Sequence, residues 1–113
     1  HGGDADAAAY FEKVATLLKA GGLFFLRVTS VATQIYHRHT LVEENDFGGL
    51  TVRYEAGPKR GLLVHFYSRP ELDERTRGGF VPLLAPREDV TVRPAPQTGS
   101  WAQWESVWRR LPG

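Results

Sequence analysis

The segment that leads from an amphipathic helix into an apolar strand constrains the fold more than any other part of the chain. Apolar residues recur at helical spacing and predict a helix over Asp4–Ala20. Gly21-Gly22 can end this helix, and the apolar, aromatic and β-branched run Leu23–Thr29 follows at once. A helix that feeds such a strand is half of an α/β crossover. We therefore expect Leu23–Thr29 to be an interior strand of a sheet with both faces covered.

The middle of the chain predicts a hairpin followed by a short helix. Leu50–Glu55 alternates between apolar and polar residues, and Leu62–Tyr67 is a second, more apolar run. The glycines and the proline between them indicate a turn. Ser68-Arg69-Pro70-Glu71 has the pattern of a helix N-terminus, with Ser68 as the cap and Glu71 closing a capping box. Residues 30 to 49 are less regular and end in a polar turn.

The last third of the chain gives weaker signals. Phe80–Leu84 predicts a short strand, and its Pro82 favours an edge position. Residues 85 to 100 contain three prolines and predict a long connection, in which Val90 and Val92 can pair briefly. The tryptophans of residues 101 to 110 fit a helical stripe or one face of a strand, and periodicity leaves both open.

Composition excludes several classes of function. The 113 residues suit one domain. The chain has 14 basic and 13 acidic residues, dispersed along its length, so we expect neither nucleic acid nor a membrane as a partner. No cysteine is present, which excludes disulfides and thiolate ligands and fits the cytoplasm. The chain opens with His1-Gly2-Gly3 and has no methionine, which suggests a fragment.

Three pieces of the sequence, in order, resemble one family. Val14–Leu26, with its Leu-Lys-Ala-Gly-Gly step, resembles the helix-to-strand junction of class I S-adenosylmethionine-dependent methyltransferases. Ser68–Leu72 and the later Gly79-Phe80 resemble a helix-to-strand step of the same enzymes. Gly99–Arg110 resembles their closing strand. The similarity runs over essentially the whole chain, and the order and spacing of the pieces carry it.

The resemblance implies an α/β fold, in which the chain is the C-terminal half of a doubly wound, mostly parallel methyltransferase sheet. Residues 1–113 would form one partial domain with an antiparallel last strand, so that residues 101 to 110 become that strand. Residues 31–67 would be an insertion with a β-hairpin that covers the substrate. The substrate would be a small molecule.

The same resemblance implies that the cofactor, S-adenosylmethionine, binds outside this chain. The family's Gly-x-Gly-x-Gly turn after a strand is absent here, and the glycine pairs fit chain reversals instead. We expect no cofactor-binding residue, no metal and no activity from the chain alone, and the missing half as its partner. The alternative is a non-catalytic α/β module that binds a partner or forms a homodimer through an exposed sheet edge.

Five residues are candidates for substrate contact. Thr29 and Ser30 lie at the carboxyl end of the expected central strand, where ligands bind in open α/β sheets. Tyr36, His37 and His39 follow and form a candidate substrate-lining segment, in which a histidine can act as a general base. Each also has a simpler explanation as a strand end or an exposed turn. The two histidines share a face if extended, but no third metal ligand is identifiable.

Three further features have a structural interpretation that competes with a functional one. His65 lies within an apolar strand and is expected to be a hydrogen-bonded structural histidine rather than a catalytic group. Arg27 interrupts a buried strand and needs an ion-pair or hydrogen-bond partner. The tryptophans are expected to pack in the core rather than to form a stacking platform for bases; they are Trp101, Trp104 and Trp108.

Overall fold

A computed structural model describes residues 2–112 and contains two antiparallel sheets with two helices. The elements in chain order are α1 (Asp4–Leu17), β1 (Leu23–Thr29), β2 (His39–Glu44), β3 (Leu50–Tyr54), β4 (Leu63–Phe66), α2 (Arg69–Thr76), β5 (Phe80–Val92) and β6 (Ser100–Arg110). One sheet has the strand order β1-β6-β5, and the other has the order β2-β3-β4. No helix among the described residues is both long and apolar enough to cross a membrane.

The first helix begins and ends close to the predicted positions. Gly3 rather than Asp4 is its N-cap, and the Asp6 carboxylate accepts a hydrogen bond from the Gly3 backbone N–H at 3.0 Å. The acidic first turn also complements the helix dipole. The chain is already extended at Leu18, and Gly21 takes a φ of +81°, a conformation that glycine adopts without strain. These turns direct the chain into β1.

The predicted fold class, a parallel doubly wound sheet, is wrong for this chain. β6 runs antiparallel to both β1 and β5, and β2, β3 and β4 are antiparallel to one another. β1 lies at the edge of its sheet rather than in the interior. The apolar run misled the prediction because only alternate residues are covered: Phe24 and Leu26 are buried, whereas Phe25 is 71% exposed.

The larger core lies between the sheet β1-β6-β5 and the two helices. Phe11 of α1 and Leu72 of α2 pack against Phe24, Leu26 and other buried residues of the sheet. Neither helix covers the opposite face of this sheet. A smaller core lies in the second sheet and centres on three buried residues. Those residues are Val52, Val64 and Phe66. Because both helices cover one face only, the apolar residues of the other face remain exposed.

A backbone bridge joins the two sheets. Tyr67, directly after β4, forms an isolated parallel bridge with Ser30, directly after β1. The Tyr67 N–H donates to the Thr29 carbonyl at 2.7 Å, and the Val31 N–H donates to the Tyr67 carbonyl at 3.0 Å. From this junction the second sheet diverges from β1, so the edge of β1 before Thr29 has no strand beside it.

Several boundaries differ from the expectations. β2 lies in the segment that showed no regular pattern; all six of its residues are exposed. β5 continues to Val92, although a loop was expected after Leu84, and two register shifts accommodate its prolines. The predicted hairpin strands correspond to β3 and β4, and residues 101 to 110 lie in a strand. An exposed strand buries no apolar face, so hydrophobic periodicity gives no signal for it.

Candidate functional site

Two neighbouring features stand out: an open groove along β1 and a polar cluster at its wall. The groove has a volume of about 560 Å³ and follows the outer edge of β1. We call it the edge groove. β1 forms one side, and the start of α1, the loop after β3, and β4 form the other. Its polar and aromatic lining residues are Asp6, Tyr10, Phe25, Arg27, Thr29, Lys59, His65 and Tyr67.

The polar cluster joins α1, α2 and the β3-β4 hairpin. The His65 Nε2 atom lies 2.8 and 2.9 Å from the two carboxylate oxygens of Glu71. The Thr51 hydroxyl lies 2.8 Å from the other ring nitrogen, Nδ1. Arg75 donates to Glu71 at 3.3 Å and to Asp4 at 2.7 Å. Thr51 and Glu71 are fully buried, so the bonds from His65 to these residues lie away from water, whereas the Arg75–Asp4 pair is partly exposed.

The hydrogen bonds assign the histidine tautomer. A carboxylate only accepts, so His65 Nε2 carries a hydrogen toward Glu71. In neutral His65 the Nδ1 atom is therefore an acceptor, and the Thr51 hydroxyl donates to it. A hydroxyl, an imidazole and a carboxylate in this order are also the parts of a nucleophilic triad. Thr51 is 0% exposed, however, so no substrate can reach its hydroxyl, and the arrangement is structural.

The same cluster holds three groups that can bind a metal. Ligand atoms of Asp4, His65 and Glu71 lie within 4.8 Å of one another. The Arg75 guanidinium sits between the two carboxylates and supplies the positive charge that a cation would bring. Leaving Arg75 in place beside a divalent ion would bring like charges together. The donor set therefore does not fit a metal.

Tyr67 forms the boundary between the polar cluster and the edge groove. Its ring meets the His65 ring edge to face, with the centroids 4.7 Å apart. Burial, reinforced by the negative charge of Glu71, raises the pKa of Tyr67 to about 12. Its hydroxyl is therefore a neutral donor at physiological pH and cannot act as a base there.

The structure separates the candidate substrate residues into two groups. Ser30 is fully buried; its hydroxyl donates to Glu88 and accepts from the Ala32 N–H at 3.1 Å. The Thr29 carbonyl belongs to the junction with Tyr67. These bonds hold the carboxyl end of β1 in place and leave no open crevice at Ser30.

Tyr36, His37 and His39 lie farther along the chain. Tyr36 packs edge to face on His37 and lies below the Arg93 guanidinium, 5.8 Å from the ring centroid. The His37 ring rests against Gly57, where a side chain would collide with it. His39 begins β2, is exposed, and has its Nδ1 atom 3.0 Å from the His37 carbonyl. Tyr36 and His37 thus remain together at an accessible surface.

The other residues singled out in the sequence have structural contacts. His65 is bonded through both ring nitrogens. Arg27 donates to Gln103 at 3.0 Å and pairs with Glu105 at 3.6 Å, both across the β1–β6 ladder. Trp108 is buried in the larger core. Trp104 packs against that core, and its indole N–H donates to the Tyr67 carbonyl at 2.9 Å.

Sequence reasoning missed the partners of His65. Glu71 was expected to close a capping box with Ser68, and Ser68 does accept from the Glu71 N–H at 3.1 Å. The Glu71 carboxylate instead turns inward to His65 and Arg75. A side chain at Gly49 would collide with this carboxylate, so a glycine is required there. Comparison with protein-family models, with curated proteins and with solved structures finds no match to this chain.

Proposed function

We propose that this chain is the part of an S-adenosylmethionine-dependent methyltransferase that carries no cofactor site of its own. It would act in the cytoplasm on a small-molecule acceptor, together with a cofactor-binding half. The observation that supports this function best is the Leu-Lys-Ala-Gly-Gly step, which resembles the family's helix-to-strand junction and connects α1 to β1 in this fold. β1 also has a free edge beside an open groove, where a separate cofactor-binding half can attach.

The described residues do not fit the cofactor. A cofactor of this kind requires close backbone approach at a glycine-rich turn after a strand. After β1 the chain instead has Ser30, bonded to Glu88 and closed off by Tyr67. No such turn lies within residues 2–112. In this proposal the other half would make all contacts with S-adenosylmethionine.

The chain's own contribution would be to position the acceptor. Tyr36 and His37 of the expected substrate segment pack on each other, and the Arg93 guanidinium lies 5.8 Å from the Tyr36 ring centroid and 5.9 Å from that of Trp101. An aromatic and cationic surface of this kind can orient a planar or anionic acceptor. Methyl transfer is an in-line displacement, and positioning supplies much of its rate.

Calorimetric titration with S-adenosylmethionine tests this function. The chain alone should not bind, and a longer chain that includes the upstream coding sequence should bind at micromolar concentration. Phe25→Lys in the longer chain should weaken cofactor binding, because it disrupts the junction at β1. Val92→Lys is the matched control, since Val92 is exposed on β5. Micromolar binding by the chain alone, or no binding by the longer chain, would contradict the function.

A second candidate uses the same edge without catalysis. Two features of residues 2–112 favour a self-standing module that binds a protein partner through β1. These residues contain no glycine-rich turn of the kind that the cofactor requires, and their hydroxyl–imidazole–carboxylate set is buried. The longer chain separates the two candidates: for this module, the upstream sequence adds no cofactor binding.

A further inference from the structure

The outer edge of β1 has a regular set of free backbone groups. Gly22 and Ser30 form backbone hydrogen bonds with β6. Antiparallel ladders alternate, so the N–H and C=O groups of Leu23, Phe25 and Arg27 point away from β6. Within residues 2–112, no backbone hydrogen bond reaches these three residues from the outer side. Such an edge is a template for one more strand.

We propose that the free edge of β1 pairs with β1 of a second copy of this chain, antiparallel and centred on Phe25. This inference rests on the same edge as the proposed function and names a partner for it. A two-fold axis at Phe25 places Phe25 opposite its own copy and Leu23 opposite Arg27 of the other chain. All three pairs are then of the hydrogen-bonded type, which gives about six backbone hydrogen bonds.

The exposed side chains of the sheet support a second copy as the occupant. Phe25, Val107 and Leu84 are register neighbours on the uncovered face of the sheet. Phe25 is 71% exposed and Leu84 is 64% exposed, so this row is an uncovered apolar patch on the sheet. Pairing at Phe25 joins this row to the same row of the second chain. The result is one apolar stripe across a six-stranded sheet.

The ends of the paired segment also fit. The parallel bridge to Tyr67 occupies the edge from Thr29 onward and limits the free stretch to Leu23–Arg27. In the proposed register, Thr29 of one chain faces Gly21 of the other. The outward carbonyl of Thr29 is already bonded to the Tyr67 N–H, so the pairing ends before this position. Arg27 is already paired with Glu105, and its aliphatic stem can cover Leu23 of the second chain.

Pairing with a second copy would regulate the binding of the cofactor-binding half to β1. A homodimer covers the surface that a cofactor-binding half needs, so the two partners would compete for β1. The expected dimer is weak, because its contact is confined to one short strand and one row of side chains. Its population should therefore rise with concentration over the micromolar range.

Light scattering and cysteine cross-linking test the proposal on the full chain. The natural chain should reach twice the monomer mass at high concentration. Phe25→Lys should weaken dimerisation about ten-fold or more, through lost apolar burial and charge repulsion. Val92→Lys should leave the dimer unchanged. Far-ultraviolet circular dichroism confirms that each variant is folded.

The absence of cysteine makes the register directly testable. Phe25→Cys should form an intermolecular disulfide under oxidised glutathione, because opposed residues in this register lie within disulfide reach. Leu23→Cys should not, because Leu23 faces Arg27 rather than its own copy. A monomer at every concentration, or equal cross-linking of both variants, would overturn the proposal. Neither result affects the cofactor titration, so the proposed function is judged independently.

Discussion

At the scale of single residues, the polar cluster shows what a sequence can and cannot reveal. His65 in an apolar strand was expected to be hydrogen-bonded, because a buried imidazole requires partners. Its partners, Thr51 and Glu71, come from a neighbouring strand and from the next helix. The sequence around Glu71 predicts a helix-capping residue, and it does not indicate that the Glu71 carboxylate is buried. Long-range packing decides this.

We predict that Glu71→Gln destabilises the protein by about 3 kcal/mol. The substitution removes the carboxylate charge between His65 and Arg75 and turns an amide donor toward one of them. Glu74→Gln is the matched control on the same helix: Glu74 pairs with Arg77 at the surface and should cost at most about 0.5 kcal/mol. Urea unfolding measures both. Similar losses for the two variants would show that the cluster contributes little.

At the scale of elements, strong local patterns predicted more than weak ones. The helix over Asp4–Ala20, the strand Leu23–Thr29 and the hairpin each have a buried stripe or a turn signal, and the structure contains an element at each. The fold class failed because strand direction and neighbours depend on contacts far apart in the sequence. An apolar run of residues predicts an interior strand even where some of its side chains, such as Phe25, are exposed in the fold. β2 was missed because it buries nothing.

The turn after β3 allows a test of how the candidate substrate segment is held. Gly57 and Gly61 both have positive φ angles, of +83° and +84°, but only Gly57 lies against the His37 ring. Gly61→Ala should cost about 1 kcal/mol from backbone strain alone. Gly57→Ala should cost about 1 kcal/mol more, because the ring must also move. Urea unfolding gives the difference, and equal costs would mean that His37 does not rest on this turn.

At the scale of the whole molecule, two cores share one short chain. The larger core lies under the sheet β1-β6-β5, and the smaller one lies in the hairpin sheet. They join where consecutive residues belong to different cores: Phe66 packs in the smaller and Tyr67 in the larger. The bridge from Tyr67 to Ser30 and the polar cluster reinforce this junction. Neither core is large enough to be stable alone.

This continuity predicts that a cavity in the smaller core destabilises the larger one. Val52 is almost fully buried, and Val52→Ala should cost about 1–3 kcal/mol. All three tryptophans lie in β6, so their fluorescence reports on the sheet that Val52 does not touch. In a two-state protein the fluorescence transition must shift as far as the circular dichroism transition. Thr40→Ala in the exposed strand β2 is the control, with little effect on either signal. An unshifted tryptophan transition in Val52→Ala would mean that the hairpin sheet unfolds by itself, and that the Ser30–Tyr67 bridge transmits no stability between the two sheets.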